Sequence, residues 1–117
     1  RRPPRSTLFP YTTPSDLPGN NCWCHEQAFP DGYEAVKGGY LGHVHIKDVL
    51  VDTPRATLEV RRMGTGQLGP MFQPMADAMR ADHYDGVISF ESVFHPGNGD
   101  FEDGFRQCIG LFKEIFG

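Results

Sequence analysis

Apolar and polar side chains alternate along Leu41-Gly42-His43-Val44-His45-Ile46-Lys47-Asp48. That period of two predicts a β-strand, with His43 and His45 on one face and Val44 and Ile46 on the other. A second β-rich run, Val87 to Phe90, follows a turn at Asp85-Gly86 and stops on Glu91. Between them Met71 to His83 places Met71, Met75, Ala78 and Met79 at spacings of three and four, an apolar helical stripe with Pro74 in its first turn or so and His83 as its terminal cation. Phe101 to Phe116 repeats the helical pattern, with Phe105, Cys108, Ile109, Phe112 and Phe116 on one face. Upstream, Phe29 to Lys37 predicts a short helix with Pro30 and Asp31 near its start and Gly38-Gly39 at its end. Its Tyr33 and Val36, with Tyr40, would cover the sheet. Val49 to Val60 reads as a polar excursion with a short strand at Leu58 to Val60.

The order strand, loop, helix, strand is a β/α repeat. A right-handed crossover makes the two strands parallel and puts their C-terminal ends on one rim, where His45 and Glu91 would converge. Two imidazoles and a carboxylate are donors for a divalent ion, although a His-x-His strand is also met as a pair of hydrogen-bonded, half-buried rings. Just beyond the His pair, Lys47 is a candidate for binding an oxyanion or ring hydroxyl. Asp48 is a candidate for orienting His43 or Lys47. The loop Arg61-Arg62-Met63-Gly64-Thr65-Gly66 offers glycine backbone amides beside two guanidinium groups, suited either to a sugar hydroxyl or phosphate or to no ligand at all. It lacks the Lys-Ser/Thr of a nucleotide-binding P-loop.

Composition narrows the classes. A net charge of −4 without a basic patch argues against a nucleic-acid surface. No apolar run is long enough to span a bilayer and no leader pattern is present, so the expected location is cytoplasmic. Cys22, Cys24 and Cys108 are an odd set that reads as reduced thiols. Cys22-Trp23-Cys24-His25 is one residue short of C-x-x-C spacing, and Cys108 falls on an apolar helix face as a core residue. Residues 1 to 15 carry four of the ten prolines without periodicity and are expected to be disordered. The run Arg5 to Thr13 looks like translated sequencing-adapter read-through, which sets the expected start of the native sequence near Asp16.

The residues Gly42-His43-Val44-His45-Ile46-Lys47-Asp48, Gly64-Thr65-Gly66 and Tyr84-Asp85-Gly86-Val87-Ile88-Ser89-Phe90-Glu91 resemble the xylose isomerase-like sugar isomerase and epimerase TIM barrels, a group that includes endonuclease IV. The resemblance covers roughly residues 19 to 117. A (β/α)8 barrel needs about 250 residues, so the resemblance implies an α/β fold that is the C-terminal portion of a barrel, incomplete in this chain. Such a fragment is expected to aggregate or to require partner chains. It further implies that His45 and Glu91 ligate one divalent metal (Mn2+, Mg2+, Co2+ or Zn2+), that Glu91 is also a catalytic base, and that the second base lies on a strand absent here. The substrate implied is a sugar or sugar phosphate, with Asn20, His43, Lys47, Asp48 and Arg62 as its contacts. Leu17 stands where the family carries a metal-binding Asp, displacing Asp16 by one, and Leu58-Glu59-Val60 stands where the three-zinc endonuclease branch carries Asp-x-His. A keto-sugar dehydratase on the same metal site and an inactive truncation are the alternatives.

Overall fold

Leu41–Ile46 forms strand β2 in the computed structural model, which describes residues 6–8, 28–38, 41–52 and 54–117. Among these residues the chain is a mixed α/β fold. Strand β1 (Ser6–Leu8), β2 and β5 (Val87–Phe90) make a parallel sheet in the order β1-β2-β5. In β2 and β5, His43 pairs with Val87 and His45 with Ser89, and the ladder runs on through the Glu91 amide, which donates to the Ile46 carbonyl at 3.0 Å. The strand at Ser6–Leu8 falls inside the stretch expected to be disordered. Its β-tolerant Ser-Thr-Leu sequence satisfies the edge of β2 that would otherwise leave ladder groups unpaired.

One face of this sheet is apolar and covered. Val44 and Ile46 are fully buried beneath α2 (Gly69–Ala81) and α3 (Phe101–Phe116). Helix α2 contributes Phe72, Met75, Ala76 and Met79 to that core, and α3 contributes Cys108 and Ile115. Burying each of the large side chains stabilises the fold by about 1.5–3 kcal/mol. Phe90 continues the same layer, 5.4 Å from the Phe112 ring. Tyr33, on the short helix α1 (Tyr33–Val36) that follows a wide π-type turn at Ala28–Gly32, closes one side. It is 1% exposed and donates its hydroxyl to Asp82 at 2.9 Å. Burial first, and then the Asp82 carboxylate, push the Tyr33 phenol well above its ordinary range.

Between β2 and α2 the chain forms an antiparallel hairpin, β3 (Asp48–Asp52) with β4 (Thr57–Arg61), where the sequence predicted only a short strand at Leu58 to Val60. The other edge of β3 is met by Gln67. Its backbone amide donates to the Val49 carbonyl, while its side chain accepts from the Val51 amide and donates to the Val51 carbonyl. A single glutamine thus stands in for a third strand.

The helices start and stop differently from their predicted limits. Helix α2 begins at Gly69, so Pro74 is its sixth residue, past the first turn, and the Pro70 carbonyl loses its intrahelical donor. Helix α2 ends at Ala81, and His83 lies beyond it with φ +53, exposed, rather than in its last turn. Helix α3 begins with a reciprocal capping box. Asp100 accepts from the Asp103 amide at 2.9 Å, and Asp103 accepts from the Asp100 amide at 3.0 Å. Its buried stripe is Gly104, Cys108 and Ile115, whereas Phe105 is 41% exposed. Burial also pushes the Cys108 thiol up, which keeps it a protonated core group accepting from the Met63 amide. Among the described residues no helix is long and apolar enough to cross a membrane.

Gly104 permits the close approach of α3 to the strand-end loop. A Cβ there would lie 1.9 Å from the Phe94 carbonyl oxygen, a backbone atom that cannot rotate away. Alanine gains about 1 kcal/mol of helix propensity, but the overlap costs more, and we expect Gly104→Ala to lower stability by about 1–2 kcal/mol net. A urea unfolding midpoint equal to or above that of the unsubstituted chain would contradict this contact.

Candidate functional site

Parity along the two parallel strands decides which side chains share a face. Val44 and Ile46 face the helices, so His43, His45 and Lys47 project from the opposite side, and in β5 Ser89 and Glu91 do the same across the ladder. These five polar groups lie toward the C-terminal ends of adjacent strands. The same face carries Val87, which is 58% exposed, so the described helices leave this side of the sheet open.

Within the cluster one carboxylate oxygen is the hub. Glu91 Oε2 lies 2.9 Å from Lys47 Nζ and 3.7 Å from His45 Nδ1. The first contact is an ion pair at hydrogen-bonding distance. The second is too long for a direct hydrogen bond, yet it places the imidazole against the same oxygen. The Lys47 side chain is 11% exposed and that of Glu91 36%, so the pair is half-sheltered and less screened than a surface bridge. The His43 ring is tilted against that of His45, with centroids 4.1 Å apart, and His43 Nε2 is 2.8 Å from the Ser89 hydroxyl oxygen. Ser89 was not among the residues singled out from the sequence. Its position two before Glu91, on the same face, is the signal that identifies it.

Asp48 departs from its expected role at the substrate. It has the opposite parity from Lys47, is 1% exposed, and faces the glycine loop. Oδ1 accepts from the amides of Val49 and Leu68, both at 3.0 Å, and Oδ2 from those of Gly64 at 2.9 Å and Gly66 at 2.8 Å. The glycine amides that seemed suited to a phosphate are therefore satisfied by the chain's own carboxylate. Gly66 is required by this approach, since a Cβ there would lie 2.3 Å from Asp48 Oδ1. Arg62, expected among the substrate contacts, does not join the His face. Arg61 pairs with Glu59 at 3.2 Å, and Arg62 is exposed, with its charge acting on the Cys108 thiol on the helix side of the sheet. Asn20, Asp16 and Cys22 to His25 lie outside the described residues.

A zinc-type ion bound by protein takes about three or four side-chain donors. Two, His45 and Glu91, converge here, His43 is engaged with Ser89, and the Glu91 oxygen nearest the imidazole already carries an ammonium group. Among the described residues no group of three or more His, Cys, Asp or Glu side chains suits a metal, so these residues do not by themselves fit the ion that the resemblance implies. What they do provide is a carboxylate, an ammonium, two imidazoles and a hydroxyl on one rigid rim, a set suited to moving a proton and holding polar oxygens.

Two cavities, of about 280 and 200 Å3, open at the other end of the strands and share His83 and Tyr84. Neither is lined by a residue of the His face. No protein-family model, curated protein or solved structure matches this chain.

Proposed function

We propose that the chain is the C-terminal portion of a (β/α)8 barrel of the xylose isomerase-like class, and that its open sheet face serves isomerisation or epimerisation of a sugar or sugar phosphate. The observation that carries this reading is the division of the parallel sheet. Among the described residues helices cover one face, and the opposite face gathers His43, His45, Lys47, Ser89 and Glu91 toward the strands' C-terminal ends. Such a division supports the reading, because a barrel wall carries helices outside and chemistry inside at the C-terminal rim.

In this reading Glu91 removes a proton from the carbon next to a substrate carbonyl, and the electron pair moves toward the carbonyl oxygen to give an enediolate-like state. Lys47, already placed beside Glu91, offers positive charge to the developing oxyanion. Ser89 and His43, hydrogen-bonded to one another, present a hydroxyl and an imidazole to the sugar's own hydroxyls. The second acid–base group that returns the proton comes from outside the described residues. So do the further donors for a divalent ion, toward which this chain gives His45 and Glu91. Such an ion would polarise the carbonyl and its neighbouring hydroxyl.

The test is a panel of ketoses, aldoses and their phosphates incubated with the chain and Mn2+ or Co2+ in D2O, with deuterium next to the carbonyl followed by mass spectrometry. Uptake by at least one of them is expected, since this half of the reaction needs Glu91 and not the second base. No uptake across the whole panel would contradict the reading.

A further inference from the structure

We infer that the 280 Å3 cavity where α2, α3 and β5 meet is a binding site for a small aromatic carboxylate, its ring against Phe116 and its carboxylate at Arg80 and His83. The inference stands apart from the isomerase reading, since no residue of the His face lines this cavity.

The walls select the ring. Ala76 and Met79 are buried, Ile88 and Phe116 half-buried, and together they give the cavity an apolar interior. Phe116 also ends a run of rings. Phe90 lies 5.4 Å from Phe112, and Phe112 lies 5.5 Å from Phe116, each pair tilted by 32°, while Phe72 meets Phe116 edge-on at 6.2 Å. A ligand ring against Phe116 continues that run at the spacings aromatic pairs prefer. At about 30 Å3 for each water of the liquid, the cavity has the room of about nine waters, which suits about two fused rings and nothing much larger.

The polar lining selects the charge. Helix C-termini ordinarily present acceptors, but here the carbonyls of Ala78, Arg80 and Met79 accept from the amides of Asp82, His83 and Tyr84 at 2.9, 3.1 and 2.9 Å, and that of Ile115 accepts from Arg80. Donors are what the cavity is offered instead. Arg80 spends part of its five-donor fork on Ile115 and on Asp77, 3.3 Å away, and His83 adds an imidazole N–H. Among the described residues no carboxylate lines this cavity, so an anionic ligand meets Arg80 without a like charge in the lining. The backbone at His83 is a separate observation. His83 has φ +53 and stands at the C′ position of a helix-end motif, where glycine is the usual residue because a Cβ is disfavoured there. An imidazole held at such a position, on the wall shared by both cavities, has a use for its side chain that the turn itself does not supply.

The test uses the full 117-residue chain with naphthoate and with naphthamide, a neutral probe of the same shape, each measured by equilibrium dialysis. Naphthoate is expected to bind about tenfold more tightly than the amide, the difference that a charge-assisted hydrogen bond makes. Arg80→Gln, which can still donate to the Ile115 carbonyl, is expected to bring naphthoate down to the level of the amide, while Arg80→Lys keeps most of the preference. Ala76→Leu places a larger side chain in the cavity and is expected to abolish binding of both probes. His83→Gly is expected to melt at a higher temperature, because glycine relaxes the left-handed turn, and yet to bind naphthoate more weakly. Circular dichroism melting checks that each variant is folded.

No retention of naphthoate at millimolar concentration would overturn the site. Equal affinities for the acid and the amide, or full affinity in Arg80→Gln, would overturn its assignment to a carboxylate. Undiminished binding by a folded Ala76→Leu variant would overturn it by placing the ligand elsewhere, and undiminished binding by His83→Gly would overturn the part given to the imidazole.

Discussion

Asp48→Ala is expected to destabilise the protein by about 3–5 kcal/mol, the largest loss from any single truncation outside the apolar core. The carboxylate accepts from four backbone amides that come from β3 and from the loop 16 to 20 residues downstream. A hydrogen bond to a charged group is worth about 1.5–3 kcal/mol, but water can reach the partly exposed amides of Gly64 and Gly66, so the sum of four full bonds overstates the cost. The buried amides of Val49 and Leu68 have no such relief. Asp48→Asn is expected to lose nearly as much, because it replaces one accepting oxygen with a donor that faces other donors. Against a typical total stability of about 5–15 kcal/mol, either change leaves the fold marginal. Urea unfolding measures the effect, with Asp52→Ala as a comparison expected to stay within about 0.5 kcal/mol, since Asp52 is on the hairpin surface. An Asp48→Ala midpoint close to that of the unsubstituted chain would show that the glycine loop is held by something else.

The second large effect falls on chemistry. Glu91→Gln is expected to lower turnover by about 10²- to 10⁴-fold, the usual contribution of a positioned general base, while changing the fold little. Glutamine matches the carboxylate in shape and still offers one oxygen to Lys47, and Glu91 is 36% exposed, so the stability cost is expected to stay near 1 kcal/mol. The loss should appear in kcat and in kcat/KM together, as expected for an interaction made with the reacting proton rather than with substrate at large. A Glu91→Gln variant that changed KM alone would make Glu91 a binding group.

How much of this was legible in the sequence follows the range of the forces involved. Period-two alternation identified β2 and the face shared by His43 and His45, because a strand's side-chain directions are set locally. The right-handed crossover brought Glu91 to the rim of His45, and register with β2 puts it on the side of β5 that the described helices leave open. The helical stripe of α2 was also visible, whereas its start at Gly69 was not, since Pro70 and Pro74 blur the boundary. The hairpin was half-read. Asp48–Asp52 continues β2 with only Lys47 between them, so the alternation hides the break where the chain leaves one sheet for the other. Asp48 was misassigned because its partners, the amides of Gly64, Gly66 and Leu68, are distant in sequence and the pattern around Asp48 gives no sign of them. The Lys47–Glu91 pair needed the register between β2 and β5. In α3 the expected stripe through Phe105 and Ile109 is displaced toward Gly104 and Ile115, because the bare Gly104 lets the helix approach the Phe94 backbone.

The account stands most directly on Glu91 exchanging a proton with carbon. Solvent deuterium incorporation next to the carbonyl of a ketose or ketose phosphate, followed by proton NMR in D2O with Mn2+, isolates that step from the return of the proton by a second base. Exchange by the unsubstituted chain and by Glu59→Gln, a surface control, with loss in Glu91→Gln, is the predicted result. Exchange that persists undiminished in Glu91→Gln would contradict it.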